Sequence, residues 1–301
     1  MYSNKITEKQ NPNSMDLDQK SIYEILEVIN NEDAKVHSAV NKVIPEISEL
    51  IKDVINCFKK GGRLFYIGAG TSGRIGVLDA SECPPTYRTN SEMIQGIIAG
   101  GLDALIYSIE GAEDNQIDGE YVVKEKKVGQ NDIILGISAS GTTPYVLAAL
   151  KAAKTSKAKV GLLIFNNLES PEFIDHFIPI MVGPEVVTGS TRMKAGTATK
   201  LVLNMISTTS MIKLNKTYGN IMVDLKACNK KLWDRGARII MHFTDLKYSD
   251  AMDLLKLAKG KVKVALVIQK LNLSFDNAEH ILNKNKGSLR RSLQGFNLDH
   301  E

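Results

Sequence analysis

The 301-residue chain is poor in the side chains that build metal centres and disulfide frameworks. It has three cysteines and five histidines. Cys57, Cys83 and Cys228 are odd in number and far apart along the chain, a pattern that suits a reducing compartment and argues against a disulfide framework or a zinc site. The histidines show no metal-ligand spacing. We therefore expect no metal and no structural disulfide.

Long apolar runs and a strong charge of either sign are also missing. No stretch approaches the roughly 20 uncharged apolar residues of a membrane-spanning helix, and the first residues lack the apolar core of a signal peptide. The net charge at pH 7 is only +4, and the basic residues are not interleaved with aromatics, as they are in many nucleic-acid-binding proteins. The absences predict a soluble cytoplasmic protein that binds neither membranes nor nucleic acids.

The middle of the chain alternates short apolar runs with helical patterns. The candidate strands are Leu64–Ile67, Ile97–Ala99 (the weakest), Ile133–Ile137, Val160–Phe165 and Ile178–Val182. Strands that alternate with helices are typical of a mostly parallel sheet whose two faces are covered by helices. The sequence therefore predicts an α/β fold, with ligands bound beyond the carboxyl ends of the strands.

Helical patterns flank this alternating region. A capping box at Ser21–Glu24 and an amphipathic pattern over residues 33–60, which Pro45 should kink or split, predict helices before the first strand. After about Asn220 only helical patterns remain. We expect an N-terminal arm with helices in residues 1–53, a sheet domain in residues 54–219 and a small all-α domain in residues 220–301.

Two candidate strands end in turns rich in glycine and hydroxyl groups. Thr71 and Ser72 lie in the first turn, and Ser138, Ser140 and Thr143 lie in the second. Hydroxyls combined with the unpaired N–H groups of a helix N-terminus suit the three oxygens of a phosphate monoester. The same residue types also cap helices without any ligand, but two such turns, each after a strand, favour a phosphate site.

The first turn also matches the dinucleotide fingerprint G-x-G-x-x-G over residues 68–73. That fingerprint requires a second strand about 20 residues on, which ends in an acidic residue. Pro84 and Pro85 stand there instead, and prolines are excluded from central strands. No Gly-Lys-Ser/Thr follows the glycines, so a Walker loop is excluded as well. We expect no nucleotide at this turn.

Two glutamates are candidates for proton transfer. Glu82 lies between the first helix of the sheet region and the double proline. We expect a rigid loop there, at the same edge of the sheet as the two hydroxyl-rich turns. Glu113 belongs to a second acidic turn, Glu110–Asp114. Two carboxylates near one anion site could divide the acid and base roles, although acidic residues in loops are more often simply solvated.

A third unusual stretch, Gly183–Thr197, brings hydroxyls and two cations to the start of a helix. Cations at that position oppose the helix dipole unless they serve an anion or pair with acids. Ser190 and Lys194 are therefore candidate substrate contacts, and an exposed basic turn is the alternative.

Several long segments, in this order, resemble the N-acetylmuramic acid 6-phosphate etherases. They are GAGTSGRIGVLDASECPP from Gly68, GIIAGG from Gly96, EGAED from Glu110, GISASGTTPYV from Gly136 and GPEVVTGSTRMKAGTATK from Gly183. The resemblance extends to the arm and the tail and covers essentially the whole chain. Its departures are minor: Gln10 stands where an arginine is common, and residues 224–228 vary a more usual segment.

The resemblance implies a SIS (sugar isomerase) fold, a three-layer α/β/α sandwich with a mostly parallel five-stranded sheet and a helical C-terminal domain. It implies cleavage of the D-lactyl ether of N-acetylmuramic acid 6-phosphate, without a cofactor, in cell-wall sugar recycling. By motif, Glu82 would protonate the departing lactate oxygen and Glu113 would act as the base at C2. The phosphate loops would contain the hydroxyl residues of the two turns, namely Thr71, Ser72, Ser138, Ser140 and Thr143.

Two further expectations concern partners and the alternative function. The apolar face of the long helical pattern before the first strand is too extensive for a tail, so we expect this helix to pack across the interface of a homodimer. The alternative to an etherase is a sugar-phosphate sensor without catalysis, of which the glucokinase regulatory protein is the nearest example. That class is about twice as long as this chain and carries tandem SIS domains, which disfavours this alternative.

Overall fold

The computed structural model describes residues 5–294, which form two compact units. One unit runs up to Cys83 and continues from Asn90 to Ser207; the other comprises Pro84–Thr89 and the chain from Thr208 onward. The predicted boundaries 1–53, 54–219 and 220–301 stay a prediction. The helices before the first strand fall in the same compact unit as the sheet. None of the helices described is long and apolar enough to cross a membrane.

Five parallel strands form the sheet of the first unit, in the order β2-β1-β3-β4-β5. The strands are β1 (Leu64–Gly68), β2 (Ile94–Ile98), β3 (Ile133–Ser138), β4 (Lys159–Ile164) and β5 (His176–Pro179). The predicted parallel five-stranded sheet is confirmed, including its weakest strand. The chain places β2 on one side of β1 and β3 on the other, so the strand order reverses at β1. In open α/β sheets such a reversal leaves a crevice at the carboxyl ends of the strands.

The helices of the sheet region begin and end at recognisable signals. They are α1 (Ile22–Asn41), α2 (Ile44–Lys59), α3 (Gly70–Tyr87), α4 (Gln116–Glu125), α5 (Pro144–Thr155) and α6 (Lys194–Lys213). The capping box at Ser21 and Glu24 is present, with both reciprocal bonds formed. Pro45 splits the long amphipathic pattern and lies in the first turn of α2, where its missing N–H costs no hydrogen bond.

The predicted loop around Glu82 is wrong, because α3 continues through Pro84 and Pro85 to Tyr87. Proline fixes φ near the helical value, and the N–H groups that Pro84 and Pro85 lack remove only two of the intrahelical hydrogen bonds of α3. The N–H of Arg88 still donates to the carbonyl of Pro84 at 2.9 Å and closes the last turn. Glu82 is therefore a helical residue.

The second unit is helical, as the sequence predicts, apart from one short hairpin. Its helices are α7 (Lys230–Phe243), α8 (Tyr248–Leu257), α9 (Val262–Leu271), α10 (Phe275–Lys284) and α11 (Leu289–Gln294). The first seven residues of α9 are all buried, so this helix forms the centre of the unit's core. The unpredicted hairpin pairs β6 (Thr217–Tyr218) with β7 (Ile221–Met222), and strands this short leave little apolar pattern to detect.

Candidate active site

A cavity of about 320 Å³ opens at the carboxyl ends of β1 and β3. All five hydroxyl residues expected at a phosphate line it: Thr71, Ser72, Ser138, Ser140 and Thr143. The two turns are far apart in sequence, but β1 and β3 are adjacent parallel strands in register. Because their carboxyl ends meet at one edge of the sheet, the two turns face the same space.

The second turn is organised by the buried hydroxyl of Ser138. Its Oγ lies 2.7 Å from the Oγ1 of Thr143 and accepts a hydrogen bond from the N–H of Gly141 at 3.0 Å. Ser138 is only 2% exposed, so most of its hydrogen-bonding capacity serves the shape of the turn. Ser140 and Thr142 form the outer part of the turn, with their hydroxyls 3.1 Å apart.

The first turn coincides with the N-terminus of α3. Gly70 begins the helix with φ +52°, and Thr71 and Ser72 follow in its first turn. The leading N–H groups of an α-helix have no intrahelical acceptor, and this end of the helix dipole is positive. The first turn of α3 contains no acidic residue, which leaves that positive end available to an anion.

Glu113 lines the same cavity from the short turn Ala112–Asp114. It also lines an adjoining cavity of about 370 Å³, so this residue stands where the two spaces meet. Arg74 of α3 holds the preceding segment in place, since its guanidinium donates to the carbonyls of Leu105 (3.2 Å) and Tyr107 (3.0 Å). The helix that presents Thr71 and Ser72 thus also positions the segment leading to Glu113.

Glu82 lies elsewhere in this chain. It is exposed and lines neither cavity. At 1.5 Å per residue, it stands roughly 18 Å along α3 from Gly70. Within one chain the structure therefore does not bring Glu82 and Glu113 together.

Lys194 is placed in a buried ion pair and not at the cavity. It is 1% exposed, and its Nζ donates to Glu32 of α1 at 2.7 Å. Its backbone N–H and that of Ala195 donate to Glu185 at 2.9 and 3.0 Å, which caps the start of α6. The cation at this helix start thus pairs with an acid, one of the two situations in which it is tolerated.

The other residue expected from that stretch, Ser190, does not line the cavity, although its neighbours Gly189 and Thr191 do. The loop before α6 therefore contributes to the cavity wall through residues other than the two that were predicted.

Full-length relatives establish the family. The chain is 50% identical over 290 residues to an N-acetylmuramic acid 6-phosphate etherase from Clostridium acetobutylicum, covering 96% of each protein. Proteins of the same name from Actinobacillus pleuropneumoniae and Oceanobacillus iheyensis are 47% and 49% identical, and the matches cover 97% and 95% of this chain and 96% and 98% of theirs. The chain belongs to the N-acetylmuramic acid 6-phosphate etherase family.

The SIS fold expected from the sequence is confirmed. Residues 46–154 match the family model of the glucokinase regulatory protein N-terminal SIS domain. Among solved structures, a phosphoheptose isomerase from Neisseria gonorrhoeae aligns with a TM-score of 0.48 and 15% identity, over 63% of this chain and 98% of that one.

In this member of the etherase family, the N-terminal arm forms part of the cavity wall, which the sequence did not reveal. Thr7 and Glu8 line the cavity. The Thr7 N–H donates to Oδ1 of Asn166 at 3.3 Å, and the Asn166 amide donates to Thr7 Oγ1 and to the carbonyl of Ala139 in the second turn. The Gly189 N–H donates to the Thr7 carbonyl at 3.2 Å. Apart from the similarity of TEKQNP to the etherases, no local pattern marked these arm residues.

The site therefore combines hydroxyls, a helix N-terminus and one carboxylate of the same chain. Hydroxyls and N–H groups can bind the oxygens of a phosphate without a strongly hydrated cation. The Glu113 carboxylate beside them can accept a proton from a bound molecule. Among residues 5–294 no three histidine, cysteine or acidic side chains are grouped as metal ligands.

Proposed function

We propose that this protein cleaves the D-lactyl ether of N-acetylmuramic acid 6-phosphate, a carbon–oxygen lyase reaction that gives N-acetylglucosamine 6-phosphate and D-lactate. The observation that carries the proposal is the meeting of two hydroxyl-rich turns with Glu113 in one cavity, in a chain related to the etherases over nearly its full length. The reaction would serve the recycling of cell-wall sugars in the cytoplasm.

The 6-phosphate binds at the two turns in this proposal. Thr71 and Ser72 offer hydroxyls at the N-terminus of α3, and Ser140 and Thr143 offer hydroxyls from the second turn. Ser138 keeps the second turn in shape through its bonds to Thr143 and Gly141. Binding the phosphate at one end fixes the sugar carbons relative to Glu113, which supplies the orientation that proton abstraction needs.

Glu113 is the proposed base. In the ring-opened sugar the C2 proton lies α to the C1 aldehyde, so its removal by the Glu113 carboxylate leaves an enolate-like anion. The electron pair then forms the C2–C3 double bond while the C3–O bond to lactate breaks. Water adds at C3 and a proton returns to C2, which restores the saturated sugar.

Glu82 is the proposed acid that protonates the departing lactate oxygen, acting from a second copy of the chain in a homodimer. The apolar face of α1 and α2 is already buried within one chain, at Val36, Leu50 and Val54 among others, so it does not support the predicted dimer. Two other observations do. Glu82 stands roughly 18 Å along α3 from the phosphate turn of its own chain. The segment around Glu113 exposes several large apolar side chains, namely Leu102, Ile106, Tyr107, Ile117 and Tyr121, a surface that a partner would cover.

The test is a coupled assay of D-lactate release from N-acetylmuramic acid 6-phosphate by the purified protein. We expect release by the wild type and a loss of about 10²–10⁴-fold in kcat for Glu113→Gln, together with loss of solvent deuterium exchange at C2. Glu120→Gln, an exposed residue on α4 that does not line the cavity, is the matched control and should retain both activities.

Two results would contradict the proposal at different points. A wild-type protein that binds N-acetylglucosamine 6-phosphate but releases no D-lactate would indicate a sugar-phosphate sensor. Full deuterium exchange by Glu113→Gln would show that a different residue is the base.

A further inference from the structure

The second unit contains a cavity of its own, rich in positive charge. Its volume of about 320 Å³ equals that of the cavity at the two hydroxyl turns. Its lining includes five basic side chains, Arg88, Lys216, Lys261, Lys263 and Lys286, and two acidic ones, Asp224 and Glu279. Five positive and two negative charges leave an excess of three positive charges around one small space.

Lys263 is the most buried of these cations, at 9% exposed. Its Nζ donates to the carbonyl of Gly287 at 3.0 Å and lies 3.5 Å from Asp224 Oδ1. The other oxygen of Asp224 accepts a hydrogen bond from Lys216 Nζ at 2.6 Å. Two ammonium groups therefore share a single carboxylate. Burial, followed by the nearby positive charge of Lys216, lowers the pKa of Lys263 despite the opposing attraction of Asp224.

The two carboxylates of the lining do not neutralise the remaining cations. Lys261 forms an ion pair with Glu279, which uses the second carboxylate of the lining. Arg88 and Lys286 have no acidic partner among residues 5–294. The backbone that carries Lys286 is held in place, since its carbonyl accepts a hydrogen bond from the Asn215 side chain at 3.3 Å.

We propose that this cavity is a second anion site, separate from the catalytic one, and that it binds a phosphate monoester. A cleft lined by charges of one sign concentrates ligands of the opposite sign. A phosphate monoester near neutral pH carries close to two negative charges and three acceptor oxygens, so it would offset most of the excess of three, whereas a monocarboxylate such as lactate would leave two positive charges uncompensated. The volume also lies within the usual range of small-molecule sites.

The experiment is a calorimetric titration of the full-length protein with inorganic phosphate, which avoids turnover. We expect two phosphates per chain for the wild type. The double variant Arg88→Ala/Lys286→Ala should bind one phosphate normally and the second at least about tenfold more weakly, since each lost charge-assisted bond changes binding by about that factor. Arg235→Ala/Lys247→Ala removes the same two charges from exposed positions outside the cavity and should still bind two.

A second measurement covers the event that a double variant is impaired in folding. The ammonium of Lys263 can be followed by NMR in the wild-type protein, and its pKa should rise when phosphate is added, because an anion favours the charged form. D-Lactate at the same concentration should leave that pKa unchanged.

The proposal does not depend on etherase activity, so the outcomes are independent. It is overturned if the wild type binds a single phosphate that Ser140→Ala/Thr143→Ala abolishes, or if phosphate leaves the Lys263 pKa unchanged. It is also overturned if both double variants bind two phosphates with wild-type affinity. Absence of D-lactate release by the wild-type protein would instead contradict the proposed function.

Discussion

Lys194 shows how far the role of one residue depends on its partner. From the sequence it is a cation at the start of a helix, placed where an anionic substrate would favour it. In the structure its Nζ bonds to Glu32, which lies 162 positions earlier in the chain, and both side chains are almost fully buried. Nothing local to residue 194 indicates that partner, because the pair exists only after α1 packs against the start of α6.

Breaking this ion pair should destabilise the protein strongly. In Lys194→Met the Glu32 carboxylate keeps Lys35 and Asn13 as partners but loses its buried cation. The loss of one partner of a buried pair typically costs about 3–5 kcal/mol of unfolding free energy. Urea denaturation should therefore show a clearly lower midpoint for Lys194→Met.

Lys52→Met is the control for that measurement. Its ion pair with Glu49 is exposed on both sides, so its loss should change the unfolding free energy by no more than about 1 kcal/mol. Equal effects of the two substitutions would contradict a stabilising role for the buried pair.

The same carboxyl predicts a pH dependence of stability. Burial alone would raise the pKa of Glu32, but hydrogen bonds from Lys194, Lys35 and Asn13 outweigh it and lower the pKa from 4.5 to about 2. A carboxyl with a lowered pKa in the folded state stabilises the protein above its unfolded pKa and loses that contribution as the pH falls through the folded value. The stabilisation is thus complete above about pH 4.5–5 and declines toward pH 2.

Glu32→Gln should reveal this dependence. The difference in unfolding free energy between the wild type and Glu32→Gln should be largest at pH 7 and should shrink between pH 4.5 and pH 2, as measured by urea denaturation at several pH values. A difference that does not change with pH would show that the Glu32 charge is not responsible.

At the scale of single elements, α3 explains the glycine pattern that resembles a dinucleotide fingerprint. A Cβ on Gly73 would lie 2.6 Å from Cγ1 of Ile98 and 2.8 Å from the carbonyl oxygen of Gly68. The glycine therefore lets the first turn of α3 pack directly on β1 and β2. The spacing of the pattern is used here for close helix–sheet packing, which needs no nucleotide.

Gly73→Ala should consequently destabilise the protein by about 1–3 kcal/mol, the usual cost of overpacking a close contact. Gly129→Ala is the matched control, because a Cβ there meets no atom within 4 Å. Thermal unfolding should give a lower midpoint for Gly73→Ala and little change for Gly129→Ala. Similar midpoints for both variants would contradict the close-packing role of Gly73.

The position of Glu82 gives a different lesson at this scale. Two consecutive prolines suggest a break in regular structure, but α3 includes both of them in its final turn. Proline is unfavourable in a helix chiefly through the N–H that it lacks and the clash that it causes with the preceding turn. The sequence shows that cost but not the tertiary packing that offsets it, so the end of α3 could not be predicted.

At the scale of the whole molecule, the separation of the two glutamates within a chain predicts subunit complementation. If the partner subunit's Glu82 completes each site, Glu82→Gln and Glu113→Gln are each inactive alone. A mixture that exchanges subunits should recover about a quarter of the wild-type activity, because half of the dimers are mixed and each has one intact site under two-fold symmetry.

The measurement is D-lactate release after the two variants are co-expressed or refolded together. A mixture of Glu82→Gln with wild type serves as the reference for subunit exchange. If both glutamates acted within one chain, every chain in the mixture of variants would carry one lesion, and no activity would return. Sedimentation of the wild type as a monomer would equally exclude the arrangement.

The sequence by itself determined the features that depend on nearby residues. The alternation of apolar runs and helical patterns specified a parallel sheet, because each strand and helix has its own hydrophobic period. The capping box at Ser21 and the hydroxyl turns after β1 and β3 were visible for the same reason, since each uses residues only a few positions apart.

Tertiary structure alone decided the features that depend on distant residues. The arm reaches the cavity because Thr7 forms hydrogen bonds with Asn166, 159 positions away. Lys194 does not line the cavity, and its side chain forms a buried ion pair with Glu32. Glu82 is separated from Glu113 because α3 extends beyond its expected end. Such contacts depend on how completed helices and strands pack, and packing combines many weak interactions that no short segment of sequence contains.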